Sequence, residues 1–509
     1  MLILRQVRRV ISFLFIGSVL FVLVHGCDRS SEPEQINEDV TSTFPYEVGD
    51  PIEKDFAEIK RSGVLRMITS YSSGSYFLHR GIQVGFEYEL LRAFARENDL
   101  ALEVVIPTQD ESPYELLNSG RGDIIAANYS ITSERREVVD FTRPYNLVDQ
   151  LIVVSDEVGF QPESIHDLEG IPISVRRNSS YYVRLMELKE EGFPIQINIL
   201  PEDMDTESVL FQIANGQHAA TVADDNIFQA SNKYMDGLVM GPLIAEQDTV
   251  AWAIRKNSPD FETKLNQFLY KHFRFNEEGV PKRSALLNVL RRKYFEEGTQ
   301  ISNYFSPEYQ TEQYGTISPY DNLIKEIADE FGLDWVMLTA IAAQESKFDP
   351  KSISWAGAVG IMQVLPRFSD VSEDSLYIPE VNIREGAKIL SEHLEHYAYL
   401  DSTNQWSFAL ATYNAGLGHV ADARRLSIDR NDNPNEWGSI SESLLMLMQR
   451  KYYENARYGF CRGIETVKYV NEIMNRYNTY MAILTMAEGR RNYLQGAGTI
   501  FGMQSIRKP

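Results

Sequence analysis

Cysteine is nearly missing from this sequence: Cys27 and Cys461 are the only two among 509 residues. Two thiols cannot build a disulfide framework or a Cys-rich zinc site. Basic charge is also short, with 49 Lys and Arg against 72 Asp and Glu and a net charge of −23. A phosphate backbone needs a Lys/Arg surplus on at least one face, so no nucleic-acid partner is expected. Neither a His-Glu-x-x-His pair nor a Walker phosphate loop occurs, which removes metalloprotease and NTPase chemistry. Long apolar runs are confined to the N-terminus. The rest is ordinary globular composition, 43% apolar and 24% charged, at a length that implies more than one domain.

Arg5, Arg8 and Arg9 precede an apolar stretch from Val10 to Val24, broken by Ser12, Gly17 and Ser18. A basic segment before a short apolar one is the plan of an export signal, and the stretch is short for a membrane-spanning helix. It ends in Val24-His25-Gly26-Cys27, which resembles a bacterial lipobox despite the unusual His25. The resemblance implies that residues 1–27 are a signal peptide and that Cys27 is lipidated, anchoring the protein without spanning the bilayer. Ordinary signal-peptidase cleavage nearby, or an uncleaved anchor, are the alternatives. Cys461 then has no intramolecular partner and is expected as a buried, small apolar residue. Residues 28–50 are polar and acidic, a flexible tether.

Residues 51–300 alternate strand and helix signals. Gly63-Val64-Leu65-Arg66-Met67-Ile68-Thr69 reads as a buried strand introduced by a glycine turn. Leu90, Leu91, Phe94 and Ala95 form a helical stripe within Glu89–Glu97, and strand character returns at Leu102–Ile106. That is the βαβ signature of a parallel sheet, with Asp123–Ala127 and Leu151–Val154 as further buried strands. Landmarks follow in order: Gly85-Phe86-Glu87-Tyr88-Glu89-Leu90, Gly120-Arg121-Gly122-Asp123 and Ser130-Ile131-Thr132-Ser133-Glu134-Arg135. Then come Phe141-Thr142-Arg143-Pro144-Tyr145, Asp167-Leu168-Glu169-Gly170 and Arg292-Lys293-Tyr294-Phe295. With the first strand, this series resembles the family 3 solute-binding proteins, the polar amino-acid binders of ABC transporters. The resemblance implies two α/β lobes of periplasmic-binding-protein type, joined by crossing strands and closing over a ligand. It also implies that Arg135 forks onto a ligand α-carboxylate, Ser130 adds a hydrogen bond and Asp224 takes the α-ammonium. Paired guanidinium donors suit a carboxylate, and a carboxylate suits an ammonium. On the residues alone, Arg135 fits equally an ion pair with Glu134 or Glu137, and Asp225 competes with Asp224 for the register. The expected ligand is an amino acid or a cell-wall stem peptide.

Residues 301–318 are polar and turn-rich, a linker. From Pro319 the pattern is nearly continuous helix. Leu323, Ile324, Ile327, Ala328 and Phe331 recur at helical spacing and Gly332 ends the run. Asp334 can cap a second helix running to Glu345. Further helices are read at Asn382–His396, Trp406–Tyr413, Ser441–Glu454 and Glu465–Tyr477, so residues 319–509 are expected to form an all-α domain.

Four motifs punctuate it: Gln344-Glu345-Ser346, Gly360-Ile361-Met362-Gln363, Thr412-Tyr413-Asn414-Ala415-Gly416 and Glu465-Thr466-Val467-Lys468-Tyr469-Val470. In this order they resemble the soluble-lytic-transglycosylase domain, a lysozyme-like α fold that cleaves peptidoglycan. Glycosidic cleavage needs an acid that protonates the leaving oxygen. Glu345 suits that role, because a helix C-terminus and apolar neighbours (Ile341, Ala342, Phe348) both keep a carboxyl protonated. The resemblance implies that one glutamate acts alone where ordinary glycosidases use two carboxylates. It protonates the bond after N-acetylmuramic acid, then takes the proton of that sugar's C6 hydroxyl as a 1,6-anhydro ring closes. No water is consumed, so such an enzyme is a lyase. Sugar contacts are implied for Ser346, Met362, Gln363, Tyr413, Asn414 and Tyr469, with Glu465 as a second acid near the sugar. Met362 and Tyr469 fit core positions equally well, and Gly360 and Gly416 read as backbone turns. His393 and His396 lack a third ligand and read as a solvated helix face; Trp355, Trp406 and Trp437 read as core. No metal and no cofactor is expected.

Export signal, solute-binder lobes and this α domain in one chain resemble the membrane-bound lytic murein transglycosylases. The implied activity is cleavage, endo or exo, of the MurNAc–GlcNAc β-1,4 bond of peptidoglycan strands, leaving 1,6-anhydro-MurNAc ends. The implied location is the periplasmic side of the envelope, membrane-attached, at the outer membrane in the resembled family. The N-terminal module is expected to bind its ligand and regulate cutting. Two alternatives use the same residues: a lysozyme-type hydrolase, and a non-catalytic solute-binding receptor whose α domain only binds wall.

Overall fold

Gly63 ends the first helix (Phe56–Ser62) in left-handed backbone, φ +71, and its turn delivers the chain into β1 (Val64–Ile68). The computed structural model describes residues 48–500 apart from 73, 109, 110, 203, 234 and 297–314. The expected signal with Cys27, nearly all of the tether and most of the linker therefore lie outside the described residues.

After β1, β2 (Phe77–His79) and β3 (Ile82–Val84) make a hairpin, α1 (Phe86–Glu97) follows, and β4 (Ala101–Val105) pairs parallel to β1. α1 starts earlier than its stripe predicts because Gly85, φ +140, swings Phe86 into the core as the first helical residue. β5 (Ile124–Ile125), β6 (Asp140–Phe141), β7 (Asn146–Ser155), β8 (Pro172–Arg176) and β9 (Gln196–Leu200) come next. β10 (Ala220–Asp224), β11 (Leu238–Val250) and β12 (Ala253–Ile254) complete two five-stranded sheets. The first runs β4-β1-β5-β12-β6 and the second β11-β7-β10-β8-β9. Neither is wholly parallel: β12 opposes β5 and β6, while β7 opposes β10 and β11. The chain passes between the sheets after β6 and returns after β11, and those crossings reverse strand direction. Two α/β lobes result, as the motif series implies.

The helical half begins with α2 (Asp321–Phe331), ended by Gly332 at φ +64, and α3 (Trp335–Ser346). Asp334 caps α3 by accepting from the Val336 and Met337 N–H groups at 2.8 and 3.2 Å. α3 is buried along most of its length, so its apolar residues run all round rather than in a stripe. α4 (Pro379–His396), α5 (Ser402–Ala415), α6 (Leu417–Asp429), α7 (Trp437–Met446), α8 (Arg450–Tyr453) and α9 (Gly463–Ile500) surround it. Three sequence readings change. The helix read at Ser441–Glu454 is two, because the chain turns at Leu447 to bury that side chain. α6 went unread, since its buried residues are mostly small or polar, Ala423, Asp422 and Ser427. α9 runs well past Tyr477. Among the described residues, none from 315 onward is in a strand element, and no helix is long and apolar enough to cross a membrane.

The described residues make one compact unit; one apolar cluster runs from the first lobe into the helical half, while the second lobe packs around clusters of its own. α9 lies along β4, where Asn475 Nδ2 donates to the Leu102 carbonyl at 3.2 Å. Tyr480 donates its hydroxyl to the Gly81 carbonyl in the β2–β3 hairpin. Gly81, φ +77, lies directly on the Phe348 ring, leaving no room for a Cβ.

Candidate active site and ligand cleft

α3 stops at Ser346 because Lys347 and Phe348 take left-handed backbone, φ +57 and +66. Neither is glycine, so this turn is strained and held by its surroundings. It drops Phe348 into the core and leaves Glu345 and Ser346 half-buried at the helix end. The Ser346 hydroxyl donates to the Ile361 carbonyl at 2.9 Å, which ties α3 to the Gly360–Gln363 loop. That loop turns at Gly360, φ +78, where a Cβ would meet the Leu376 carbonyl at 2.7 Å. Gln363 Nε2 donates back to the Ser352 and Gly360 carbonyls at 3.1 and 2.9 Å. Met362 is fully buried, its side chain against Gly386, so it is a core residue and not a surface for sugar. Its backbone still takes part: its N–H donates to Asn382 Oδ1 at 2.7 Å and its carbonyl accepts from the Tyr413 hydroxyl at 2.8 Å.

The Glu345 carboxyl accepts from the Tyr469 hydroxyl at 2.5 Å. Burial raises its pKa from the ordinary 4.5 to about 7, and the Tyr469 bond pulls weakly the other way. The residue keeps some solvent contact while its carboxyl group is enclosed, and the enclosure governs titration. Burial and the nearby Glu345 charge push both Tyr413 and Tyr469 well above the usual phenol range, so both stay neutral donors. Among the described residues no second carboxylate contributes to the titration of Glu345. Glu465 is exposed, one helical turn before Tyr469 on α9, and pairs with Arg462 at 3.5 Å. Asn414, exposed at the end of α5, accepts from the Thr466 hydroxyl at 2.9 Å.

Two expectations near this site fail. His396 is exposed as expected, but His393 is half-buried rather than solvated, with its ring 6.4 Å from that of Tyr413 and its pKa lowered by burial. Trp406 and Trp437 pack against the core, but Trp355 is 86% exposed. Cys461 is buried and its thiol pushed up to about 11, as a small apolar residue is expected to behave. The sequence reading missed a half-buried polar group beginning at Gln344, next to Glu345 in the chain. Gln344 donates to Glu472 at 2.6 Å and accepts from Arg476 at 3.2 Å. The available signal was spacing: Tyr469, Glu472 and Arg476 share one face of α9.

In the α/β half, Thr132 caps the helix Ser133–Val138 and accepts from the Arg135 N–H at 3.3 Å, which fixes Arg135 in its first turn. Its guanidinium donates to the carbonyls of Ser130 (2.7 Å) and Asn178 (3.4 Å) rather than to Glu134 or Glu137, and lies 4.6 Å over the Tyr129 ring. Ser130 is buried and bridges to Val250 on the crossing strand. Asp224 ends β10, 2% exposed, with Oδ2 accepting from Asn128 Nδ2 at 2.7 Å and Oδ1 unpartnered. Burial, with the Asp248 and Asp225 charges, raises it to about 8. Asp225 instead accepts from the Asp149 N–H at 3.1 Å, so the adjacent acids do different things. Asn128, φ +54, is the residue the sequence did not single out: it reaches from the first lobe to Asp224 of the second. Beneath it Glu87, raised to about 7 by burial, accepts from the Tyr145 hydroxyl and from Trp252 Nε1 at 2.8 Å. Asn128 follows the carboxyl end of β5 and Asp224 is the last residue of β10, the strand ends where open α/β sheets place ligands.

Residues 65–275 match the family model of bacterial extracellular solute-binding proteins, family 3, and residues 322–435 that of the transglycosylase SLT domain. The chain is 31% identical over 426 residues to a membrane-bound lytic murein transglycosylase F of Desulfosudis oleivorans, covering 83% of this chain and 90% of that protein. It is 32% identical over 424 residues to the like-named protein of Shewanella loihica, covering 82% and 86%. It is also similar to the structure of an ancestral arginine-binding protein bound to arginine, at 22% identity and a TM-score of 0.38, covering 46% of this chain and 99% of that one.

Proposed function

The chain belongs to the membrane-bound lytic murein transglycosylase F family, and from that premise we propose how its residues divide the work. The protein is a lyase that cuts peptidoglycan strands at the MurNAc–GlcNAc β-1,4 bond and leaves 1,6-anhydro-MurNAc ends. Glu345 begins protonated and gives its proton to the bridging oxygen as the C1–O bond breaks and an oxocarbenium-like centre forms. As a carboxylate it then takes the C6 hydroxyl proton while O6 bonds to C1, which returns Glu345 to its starting state. The single observation that carries this reading is a carboxyl raised to about 7 with no carboxylate partner in its titration among the described residues. A hydrolase with a separate base or nucleophile fits that less well.

Tyr469 orients the Glu345 carboxyl, and Tyr413 fixes the Gly360–Gln363 loop through the Met362 carbonyl. Ser346, Gln363 and Asn414 line the sugar cleft, and exposed Glu465 contributes an acid at its edge. The domain limits proposed are 51–300 for the solute-binding module and 319–509 for the transglycosylase module. The solute-binding module takes a ligand; we assign it an amino acid or stem peptide, carboxylate on Arg135 beside Ser130 and ammonium on Asp224. The unpartnered Asp224 Oδ1 supports the ammonium position. The relatives' names support envelope association; attachment through lipid on Cys27, on the periplasmic side of the outer membrane, is part of the proposal. The test is mass analysis of products from purified sacculi. Ends one water lighter than reducing ends, lost in Glu345→Gln, are expected; reducing ends identify a hydrolase, and unchanged lysis by Glu345→Gln overturns the assignment.

A further inference from the structure

An indole in water is costly, and Trp355 is 86% exposed. Isolated exposed apolar residues are common, so exposure alone says little. Its mounting says more. Ser354 to Gly357 form a tight turn, closed by Gly357 N–H on the Ser354 carbonyl at 3.0 Å and by Ser354 N–H on the Ala358 carbonyl at 2.9 Å. Three residues before Trp355 the loop is pinned by Gln363, whose amide Nε2 donates to the Ser352 carbonyl at 3.1 Å. The ring is therefore fixed to the loop that carries the cleft residue Gln363. From the other side the Arg462 guanidinium sits 5.0 Å over the indole, and Arg462 is itself paired with Glu465. One ring face is thus taken by a cation, which holds the ring's orientation. The remaining surface is open to solvent.

Arg462 is the residue just before α9 and precedes Tyr469 by seven positions, so the two lie roughly 10 Å apart along the helix axis. That is about the length of one β-1,4-linked disaccharide. The segment leading to Arg462 also exposes Tyr458 and Phe460, each 51%. We propose that Trp355, braced by Arg462, is an outer sugar platform that stacks on the amino-sugar strand one disaccharide away from the bond cut at Glu345. The apolar C–H face of a pyranose suits an indole face, and Arg462 suits the carboxylate that a muramic acid substituent carries. The inference rests on the transglycosylase reading of the same cleft.

The test uses full-length Glu345→Gln protein, which binds without cutting, titrated with a trimer and an octamer of β-1,4-linked N-acetylglucosamine. Bound oligomer is read by calorimetry, and by the intrinsic fluorescence of the exposed indole. Adding Trp355→Ala is expected to weaken the octamer by about tenfold with the trimer far less affected, and Trp355→Phe to restore most of the loss. Because the side chain is exposed, these variants are expected to fold. Octamer affinity indifferent to Trp355→Ala overturns the platform, as does an equal loss on trimer and octamer. Failure of either oligomer to bind the Glu345→Gln protein at all sinks the transglycosylase reading along with it.

Discussion

Glu345 and Asp224 are both carboxyls raised into the neutral range, yet they are raised differently. Glu345 is lifted by enclosure alone and steadied by one phenol. Asp224 is lifted by enclosure and by neighbouring acids, Asp248 first, and leaves one oxygen without a partner. A solitary carboxyl holding a proton near pH 7 is suited to transferring it. A crowded one with a vacant oxygen is suited to receiving a cation, which relieves the repulsion. The two halves of the molecule therefore respond to pH in opposite senses. Proton donation by Glu345 fails as pH climbs through about 7, whereas ammonium capture by Asp224 weakens as pH falls below about 8.

The sharpest way to break this comparison is Glu345→Gln, expected to lower the rate of sacculus solubilisation by about 10²–10⁴-fold. A smaller fall places the proton elsewhere. Asp224→Asn is expected to cost about 10–100-fold in affinity for an ammonium-bearing ligand. Wild type is expected to release a proton on binding such a ligand, and the same substitution to remove that release, measured by calorimetry in buffers of different ionisation heat. Tyr469→Phe deletes the one bond that lowers the Glu345 pKa. Its rate is expected to drop by about tenfold while the alkaline limb of the pH–rate profile moves upward. A limb that moves downward contradicts the assignment.

The smallest effect is on stability. Folded Glu345 binds its proton more tightly than the unfolded chain, whose carboxyl titrates near 4.5. Stability is therefore lost as pH rises from 4.5 through about 7, and constant beyond. The Tm of Glu345→Gln relative to wild type is expected to increase by a few degrees across that window in calorimetric scans. A difference independent of pH means the carboxyl is wetter than its setting indicates.

The sequence was most legible where short-range chemistry decides structure. Gly332 and Asp334, a left-handed stop and a cap, mark the α2–α3 junction without ambiguity. The four motifs of the helical half bring Tyr469 onto the Glu345 carboxyl and set Tyr413 near it, bonded to the Met362 carbonyl. Less legible was anything set by a distant partner. Met362 reads as a sugar contact or as core with equal ease, and only its burial against Gly386 decides. Asn128 has no local signature beyond following a strand, and its importance comes from Asp224, which belongs to the opposite lobe. Trp355 reads as core because tryptophan usually is, and no periodicity marks the tip of a turn.

α9 carries Tyr469 to the acid and, farther along, Tyr480 to the Gly81 carbonyl, while Phe348 beds under the same hairpin. The C-terminal half is thus no interchangeable cassette. Scissors applied between the two modules leave a greasy scar on each fragment, and the one bearing Glu345 loses the lid that pins its strained turn. Expressed by itself, it is expected to clump, or to keep its shape only with detergent or a grafted hairpin supplying the missing cover.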